Sequence, residues 1–235
     1  MENLQEQFLL NPDITFLNFG SFGATPKPIF DAYQKWQRVL EAEPVQYIVF
    51  DGPGYLQTSR EALAKYIGVA DKDDLVFVTN PSFAVNMVAK NFPLQPGDQI
   101  LTTDIEYGAC DRTWEYYCAQ KGAEYIKQKI TLPITSKEKF IEEFFAGITP
   151  KTKAVFISHI TSATALKLPV EEICAMAKQK GLITFVDGAH GPAQTEVNLA
   201  TLQADFYTGA CHKWMMAPKG CSFLYAAKSV QPICD

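Results

Sequence analysis

The feature that most constrains the fold is an alternation of short apolar runs with amphipathic segments along the 235 residues. The apolar runs are rich in β-branched and aromatic side chains and end in turn residues. They are LVFVTN (75–80), QILTTDI (99–105), KAVFISHI (153–160), LITFVDGAH (182–190), ADFYTGA (204–210) and CSFLYA (221–226). Such nearly continuous runs are typical of strands buried on both faces of a sheet.

Helical patterns separate these runs, at 29–43, 82–92, 111–122, 137–147 and 169–181. The last has Pro169 at its start and Gly181 just past its end, which are ordinary helix boundary signals. This alternation predicts an α/β domain with a mostly parallel sheet flanked by helices. The patch DGPG (51–54) is interpreted as a loop between helices, and one main domain is expected.

Composition narrows the class of ligand. The net charge is −5, and lysine and arginine form no cluster, which argues against a nucleic-acid or membrane-surface partner and favours a small molecule. The six cysteines contain no CxxC pair, so neither a zinc site nor a disulfide framework is indicated. Reduced thiols and the lack of a long apolar stretch predict a cytoplasmic protein.

Chemistry is expected at the carboxyl ends of the strands, where ligands of parallel α/β sheets collect. Ser82 and neighbouring backbone N–H groups open a helix, which suits a phosphate, although Asn and Ser after a strand more often form a simple helix N-cap, and that interpretation comes first. Tyr107 follows another strand end. Its ring could pack on the adjacent helix or lie flat on a planar cofactor.

The run VDGAH places Asp187 at the end of an apolar strand, with His190 three residues later. Burying a carboxylate costs several kcal/mol unless a cation or hydrogen-bond donors meet it, so an acid here implies a partner. Capping of the following turn is one alternative. A metal site using Asp187, His190 and His212 is another, with weaker support because ligand spacing does not recur.

The stretch YTGACHKWMMAPKG (207–220) ends a strand in small residues and then presents His212 and Lys213 ahead of the apolar WMMAP. Small residues leave room for a bulky group to approach the backbone. A lysine held near apolar surface loses its proton more readily and becomes a nucleophile able to form a Schiff base.

Several segments together resemble the class V aminotransferase family of pyridoxal-phosphate enzymes, closest to its isopenicillin N epimerase-like branch and related to cysteine desulfurases. They are LNFGSFGATP (17–26), VTNPSFAVN (78–86), DIEYGA (104–109), SHITSATALKLPVEEI (158–173), VDGAHGPAQ (186–194) and YTGACHKWMMAPKG (207–220). The order matches that of the family across nearly the whole chain. The resemblance implies the large domain of fold-type I enzymes, which is aspartate aminotransferase-like.

The resemblance also implies roles for individual residues. Lys213 matches the lysine that forms a Schiff base with pyridoxal 5′-phosphate, and Asp187 matches the acid that pairs with the ring nitrogen. The other implied cofactor contacts are Ser82, the N–H of Phe83 and His212 at the phosphate, Tyr107 on the ring face, and Ser162 and His190 near the ring hydroxyl. Asn18 and the GSFG turn (20–23), with Ser21 and Phe22, match a loop that lines the substrate pocket.

The implied organisation is an N-terminal substrate-lining segment over 1–25 and a cofactor-binding large domain over 26–235. The family's small C-terminal domain, which supplies the arginine that binds the substrate carboxylate, is absent from this sequence. The chain is then a fragment, or something else completes the pocket. Ala210 and Cys211 stand where relatives often carry a polar side chain for the phosphate.

The expected activity is on the α-carbon of an amino acid, as an epimerase, a C–S lyase or desulfurase, or a transaminase. Homodimerisation is expected by resemblance. The competing hypothesis is a truncated relative that binds the cofactor and acts as a non-catalytic interaction module. A nucleotide-binding domain is discounted because the sequence has neither GxGxxG nor GxxxxGK[ST].

Overall fold

The computed structural model describes residues 4–234, and its centre is one seven-stranded sheet. The strands are β1 (Leu75–Val78), β2 (Gln99–Thr103), β3 (Glu124–Gln128), β4 (Thr152–Ser158), β5 (Ile183–Gly188), β6 (Phe206–Ala210) and β7 (Ser222–Ala226). The α-helices are α1 (Lys27–Ala42), α2 (Gly52–Tyr66), α3 (Pro81–Asn91), α4 (Gly108–Gln120), α5 (Lys137–Phe145), α6 (Val170–Gln179) and α7 (Leu199–Leu202).

The strand order is β1-β7-β6-β5-β4-β2-β3. Neighbours from β6 to β3 run parallel, while β7 pairs antiparallel with both β6 and β1. The predicted mostly parallel α/β sheet is therefore confirmed. The antiparallel β6–β7 hairpin matters for function because its connection, residues 211–221, carries His212 and Lys213.

Both faces of the sheet are covered, as the continuous apolar strands predicted. On one face α3 and α4 pack against the sheet with Trp114 and Phe156 in the interior. On the other face α2, α5, α6 and α7 enclose a second apolar layer that contains Phe144 and Tyr207. All residues of β2 and β6 are buried, so their sequences alternate little between apolar and polar.

The structure corrects one sequence expectation. The patch 51–54 is helical, because a π-helical turn over 46–51 leads directly into α2. The N–H of Gly52 donates to the carbonyl of Tyr47, and a Cβ on Gly52 would lie 2.6 Å from that oxygen. Pro53 fits the first turn of α2, where its missing N–H has no intrahelical partner to lose.

Three elements were missed by pattern reading. Helix α2 buries only Leu63 and Ala64, so its sequence has no continuous apolar face. Strand β3 lies at the edge of the sheet, and its residues are partly exposed, so it has no continuous apolar run. Helix α7 has only four residues and begins at the Asn198 cap. Within residues 4–234, no helix combines the length and apolar character needed to cross a bilayer.

Strand register sets the position of the candidate site. Ser158 of β4 pairs with Asp187 of β5, and Asp187 pairs with Thr208 of β6. The N-terminal segment crosses this edge of the sheet. There the N–H of Gly23 donates to the carbonyl of His212 at 2.9 Å, and a Cβ on Gly23 would lie 2.0 Å from the carbonyl oxygen of Lys213. Glycine is required for this close approach.

We expect Gly188→Ala to destabilise the protein by roughly 1–3 kcal/mol, as overpacked core sites do. A Cβ at Gly188 would lie 2.0 Å from the ring of Tyr207, which is fully buried. Urea unfolding measures the difference. Gly54→Ala is the control, since a Cβ there meets nothing within 4 Å in the first turn of α2 and should be neutral or slightly stabilising. Equal stabilities of the two variants would contradict the packing described here.

Candidate active site

A cavity of about 430 Å³ opens at the carboxyl ends of β4, β5 and β6. It is lined by Gly20, Ser21, Phe22, Asn80, Pro81, Ser82, Tyr107, Ser158, Ile160, Ser162, Asp187, Ala189, His190, His212 and Lys213. Most of the residues singled out from sequence therefore come together around one space. Phe83 and Asn18 do not line it.

Asp187 forms the buried floor of the cavity and is 4% exposed. Its Oδ1 accepts the N–H of Ala189 at 2.9 Å, whereas its Oδ2 accepts from the weak thiol donor of Cys110 at 3.5 Å. Burial raises the pKa of Asp187, and the Ala189 hydrogen bond partly offsets that rise. A carboxylate oxygen with so weak a donor suits a strong N–H donor placed in the cavity.

Lys213 belongs to a hydrogen-bonded chain that indicates an unprotonated amine. The indole N–H of Trp214 donates to His190 Nδ1 at 3.2 Å, and His190 Nε2 lies 3.3 Å from Lys213 Nζ. Because indole can only donate, the neutral imidazole carries its proton on Nε2 and directs it at Lys213. The amine must then accept, which an ammonium group cannot do.

Burial shifts the pKa of both groups towards the neutral form. It lowers the pKa of Lys213, and the charge of Asp187 opposes that shift in part. It also lowers the pKa of His190 to about 4, so the imidazole is neutral at pH 7. A half-buried lysine with a lowered pKa loses its proton more readily and is then available as a nucleophile and base.

His212 is held from behind by the β6–β7 hairpin. Its Nδ1 lies 2.9 Å from the carbonyl oxygen of Cys221, so Nδ1 carries the proton and donates. Burial lowers the pKa of this imidazole. An anionic group in the cavity would favour the imidazolium form, in which Nε2 donates as well.

The amino end of α3 faces the cavity through Asn80, Pro81 and Ser82. The side chain of Asn80 caps the helix by accepting the N–H of Phe83 at 2.8 Å. The N-cap interpretation of this strand end is therefore confirmed, with Asn80 as the cap. The N–H of Phe83 is occupied by that cap, and the phenyl ring is half-exposed away from the cavity lining.

The N-terminal segment closes one side of the cavity with Ser21 and Phe22. Asn18 acts on the turn itself: its Nδ2 donates to Ser21 Oγ at 2.9 Å, and its Oδ1 accepts the N–H of Ser21 at 3.0 Å. Tyr107 and Ser162 also line the cavity, and both residues are exposed.

Sequence reasoning missed Asn80, Ser158 and Trp214. Asn80 precedes the Pro-Ser helix start and had a readable N-cap signal. Nothing in the sequence indicates that Trp214 contacts His190, because that contact depends on the folded hairpin. The metal alternative gains no support, since residues 4–234 contain no cluster of three or more His, Cys, Asp and Glu suited to a metal ion.

We expect Trp214→Phe to raise the pKa of Lys213. Without the indole donor, the proton of His190 can move to Nδ1, and Nε2 can then accept from a charged ammonium. The phenyl ring preserves the stacking on Phe19. Acylation of Lys213 by acetic anhydride at pH 8, followed by mass spectrometry, should be slowed roughly threefold or more. The exposed Lys180 is the internal reference, and an unchanged rate at Lys213 would contradict this assignment.

Comparison with known proteins places these residues in a family. The family model for aminotransferase class V matches residues 29–233. The isopenicillin N epimerase of Amycolatopsis lactamdurans is 38% identical over 229 residues, which cover 96% of this chain and 57% of that protein. The chain therefore spans little more than half the length of this curated relative.

Solved structures share the fold. The cysteine desulfurase CsdA from Escherichia coli has a TM-score of 0.83 at 23% identity, covering 98% of this chain and 58% of that one. A C-DES mutant with glycine covalently linked to its pyridoxal-phosphate cofactor has a TM-score of 0.85 at 22% identity, covering 97% and 60%. Both confirm the predicted fold-type I architecture. The family model, which matches most of the chain, shows that this chain belongs to the class V aminotransferase family.

Proposed function

We propose that this chain is the cofactor-binding part of an enzyme that acts at the α-carbon of an amino acid. The observation that carries the proposal is the pairing, around one cavity, of a buried carboxylate, Asp187, with a half-buried lysine, Lys213, whose Nζ contacts His190 Nε2. Neither group needs such a setting for structural reasons. Together they match the two ends of a planar heterocycle that carries a ring nitrogen and an aldehyde.

Pyridoxal 5′-phosphate is the cofactor of this family. When bound, it supplies an electron-withdrawing ring that accepts the negative charge left when a substrate loses its α-proton. The residues present fit this group. The floor of the cavity offers a carboxylate oxygen with only a weak donor, and the cavity of about 430 Å³ has room for a small ring beside it.

Each proposed contact follows from a side chain that lines the cavity. Asp187 would hold the ring nitrogen, and Lys213 would bind the aldehyde. Ser82 and His212, with the positive end of α3, would hold the phosphate. Tyr107 would cover one ring face, while Ser162 and His190 would lie near the ring hydroxyl. The Phe83 N–H could contribute only if the phosphate replaced Asn80 as its acceptor.

The chain's own groups account for proton movement. Lys213 Nζ, half-buried and with a lowered pKa, is the base that takes the proton from the substrate α-carbon. His190 orients that amine through its Nε2–H and stays neutral, so it does not compete for the proton. Phe22 and Tyr107 contribute aromatic rings to the cavity lining, which would limit the access of water.

Epimerisation is the reaction we place first, because the epimerase relative shares 38% identity across 96% of this chain. In that reaction the proton returns to the opposite face of the α-carbon. C–S cleavage and transamination remain alternative fates of the same deprotonated substrate. The non-catalytic interaction module is not favoured, because the lysine and the carboxylate are both present and face the same cavity.

The proposed organisation keeps residues 1–25 as a substrate-lining segment and 26–235 as the large domain. Ser21 and Phe22 on the cavity support the first assignment. Residues 1–3 and 235, at the ends of these ranges, lie outside the described residues. A cytoplasmic location stays a prediction; it is supported by the lack of any disulfide among the cysteines that the structure describes.

We also propose that a second copy of the chain covers an exposed apolar surface on helix α1 and the π-helical turn over 46–51, as the resemblance to the family implies. Helix α1 contributes no buried residue, although its sequence is amphipathic. The surface, called the α1 face here, consists of Ile29, Tyr33, Trp36, Val39, Ile48, Val49 and Phe50, each at least 39% exposed. An apolar surface of this kind typically marks an interface.

Sedimentation velocity tests this pairing. We expect the chain to have twice its 26.2 kDa mass and Val49→Glu to shift it towards monomer, because a charge at the centre of a dry interface is costly. Leu132→Glu, at an apolar residue that is 46% exposed outside the α1 face, is the control and should leave the dimer intact. A monomeric wild-type chain would contradict the proposal that a second copy covers the α1 face.

The test of the function is reconstitution with pyridoxal phosphate. Wild-type protein should turn yellow, become irreversibly labelled at Lys213 by borohydride, and exchange the α-proton of a substrate amino acid into D₂O. Lys213→Ala should remove the labelling and slow the exchange by about 10²-fold or more, since a positioned base contributes that much. Visible absorbance, peptide mass spectrometry and proton NMR are the measurements.

Lys180→Ala is the matched control, an exposed lysine away from the cavity, and it should behave as wild type. A panel of amino acids that follows racemisation, sulfide and keto acid separately distinguishes the three reactions. Borohydride labelling at a lysine other than Lys213 would contradict the proposed function.

A further inference from the structure

A second buried carboxyl group lies beside the proposed site. Glu106 is 9% exposed and sits just before Tyr107, where the chain leaves β2 and enters α4. Its Oε1 contacts Thr103 Oγ1 at 2.6 Å, and its Oε2 accepts the backbone N–H of Ser158 at 2.9 Å and also contacts the Ser158 hydroxyl. Glu106 therefore ties the end of β2 to the end of β4.

These contacts connect Glu106 to the cavity from two sides. Ser158 lines the cavity and pairs in register with Asp187. Tyr107, the next residue along the chain, lines the cavity and is the N-cap of α4. The Glu106 carboxyl thus fixes the backbone from which the Tyr107 side chain extends, without itself lining the cavity.

The surroundings of Glu106 suit either protonation state. Only the Ser158 N–H is an obligate donor, because the hydroxyls of Thr103 and Ser158 can each reverse and accept a proton from the acid. Burial raises the pKa of Glu106 to about 8, the negative charge of Asp187 adds to this rise, and the hydrogen bonds from Ser158 and Thr103 oppose it. Two neighbouring buried carboxyl groups do not both ionise readily.

We infer that Glu106 is a positioning residue, which anchors Tyr107 through Ser158 and carries the proton of the Glu106–Asp187 pair so that Asp187 keeps the negative charge. Asp187 faces the cavity, where a cationic ring nitrogen would stabilise it. Glu106 faces only hydroxyls and a backbone amide. The inference rests on the proposed function, because the charge of Asp187 matters for binding only if such a ring is bound.

The titratable groups packed around Glu106 come from three further elements. They are Asp187 of β5, Cys110 of α4 and Tyr125 of β3. Burial raises the pKa of the Cys110 thiol and of the Tyr125 phenol, so both are neutral near pH 7. Asp187 is then the group whose charge acts on Glu106 in this range.

The variants Glu106→Gln and Glu106→Ala distinguish the two roles of Glu106, which are to carry a proton and to hold Ser158 by a hydrogen bond. Glutamine is a permanently neutral isostere that can still accept the Ser158 N–H, so we expect the Kd for pyridoxal phosphate at pH 7 to stay within about threefold of wild type. Alanine leaves Ser158 unpaired, and we expect a loss of about tenfold or more. The neighbouring Asp104→Asn is the control, since Asp104 binds the N–H of Ile130 and does not line the cavity.

The pH dependence of apoprotein stability tests the proton independently of the cofactor. The folded-state pKa of Glu106 lies above its ordinary 4.5, so its contribution to stability is complete below about pH 4.5 and is lost as pH rises through about 8. Glutamine does not titrate. The Tm of Glu106→Gln relative to wild type should therefore rise between about pH 5 and pH 8 and then level off.

The outcomes separate the two proposals. Parallel Tm profiles of wild type and Glu106→Gln would overturn the protonation of Glu106, whatever the cofactor does. Equal Kd values for wild type and Glu106→Ala would overturn the anchoring role. A third outcome is that the wild-type chain binds no pyridoxal phosphate while the Tm profiles diverge as expected. That outcome would overturn the proposed function and the anchoring of Tyr107 for cofactor binding, and it would support the protonation of Glu106.

Discussion

The burial of Asp187 at the end of a central parallel strand is the constraint on which the site depends. A carboxyl group 4% exposed is tolerable only if donors or a cation meet it, and the protein supplies one backbone N–H and one weak thiol donor. The carboxylate that lacks a strong donor lines the cavity and is therefore accessible to a ligand. Stability given up at this strand end is recovered when a ligand with a strong N–H donor binds there.

The second determinant is a set of fixed proton positions around the cavity. The Trp214 indole can only donate, so it assigns the tautomer of His190, and His190 in turn requires an unprotonated Lys213. Burial favours neutral forms at both residues. Protonation is divided in a similar way between Glu106 and Asp187. In that proposed pair Glu106, which does not line the cavity, holds the proton, and Asp187 holds the negative charge. The site is preorganised for ionisation states as much as for shape.

Pattern reading predicted much of this molecule. The six apolar runs each overlap a strand, because strands buried on both faces leave a long apolar signature, and the five helical patterns each overlap a helix. The edge strand β3 and the π-turn into α2 escaped. An edge strand lacks that signature. The pair Gly52-Pro53 predicts a helix break, and only the structure shows that the N–H of Gly52 binds the carbonyl of Tyr47 and continues the helix. Among the site residues, the role of the Phe83 N–H stays a prediction, since that N–H binds Asn80 and Phe83 does not line the cavity.

The sequence by itself determined the fold class, the family and the identity of the principal side chains, because strand ends, small residues and the His-Lys pair are local signals. Only the tertiary structure decided which of these groups meet, how His190 is protonated, and that Glu106 and Trp214 belong to the same network. Those facts depend on strand register and on contacts between residues 24 and 52 positions apart. Contacts of that kind come from three-dimensional packing and leave no periodicity in the chain.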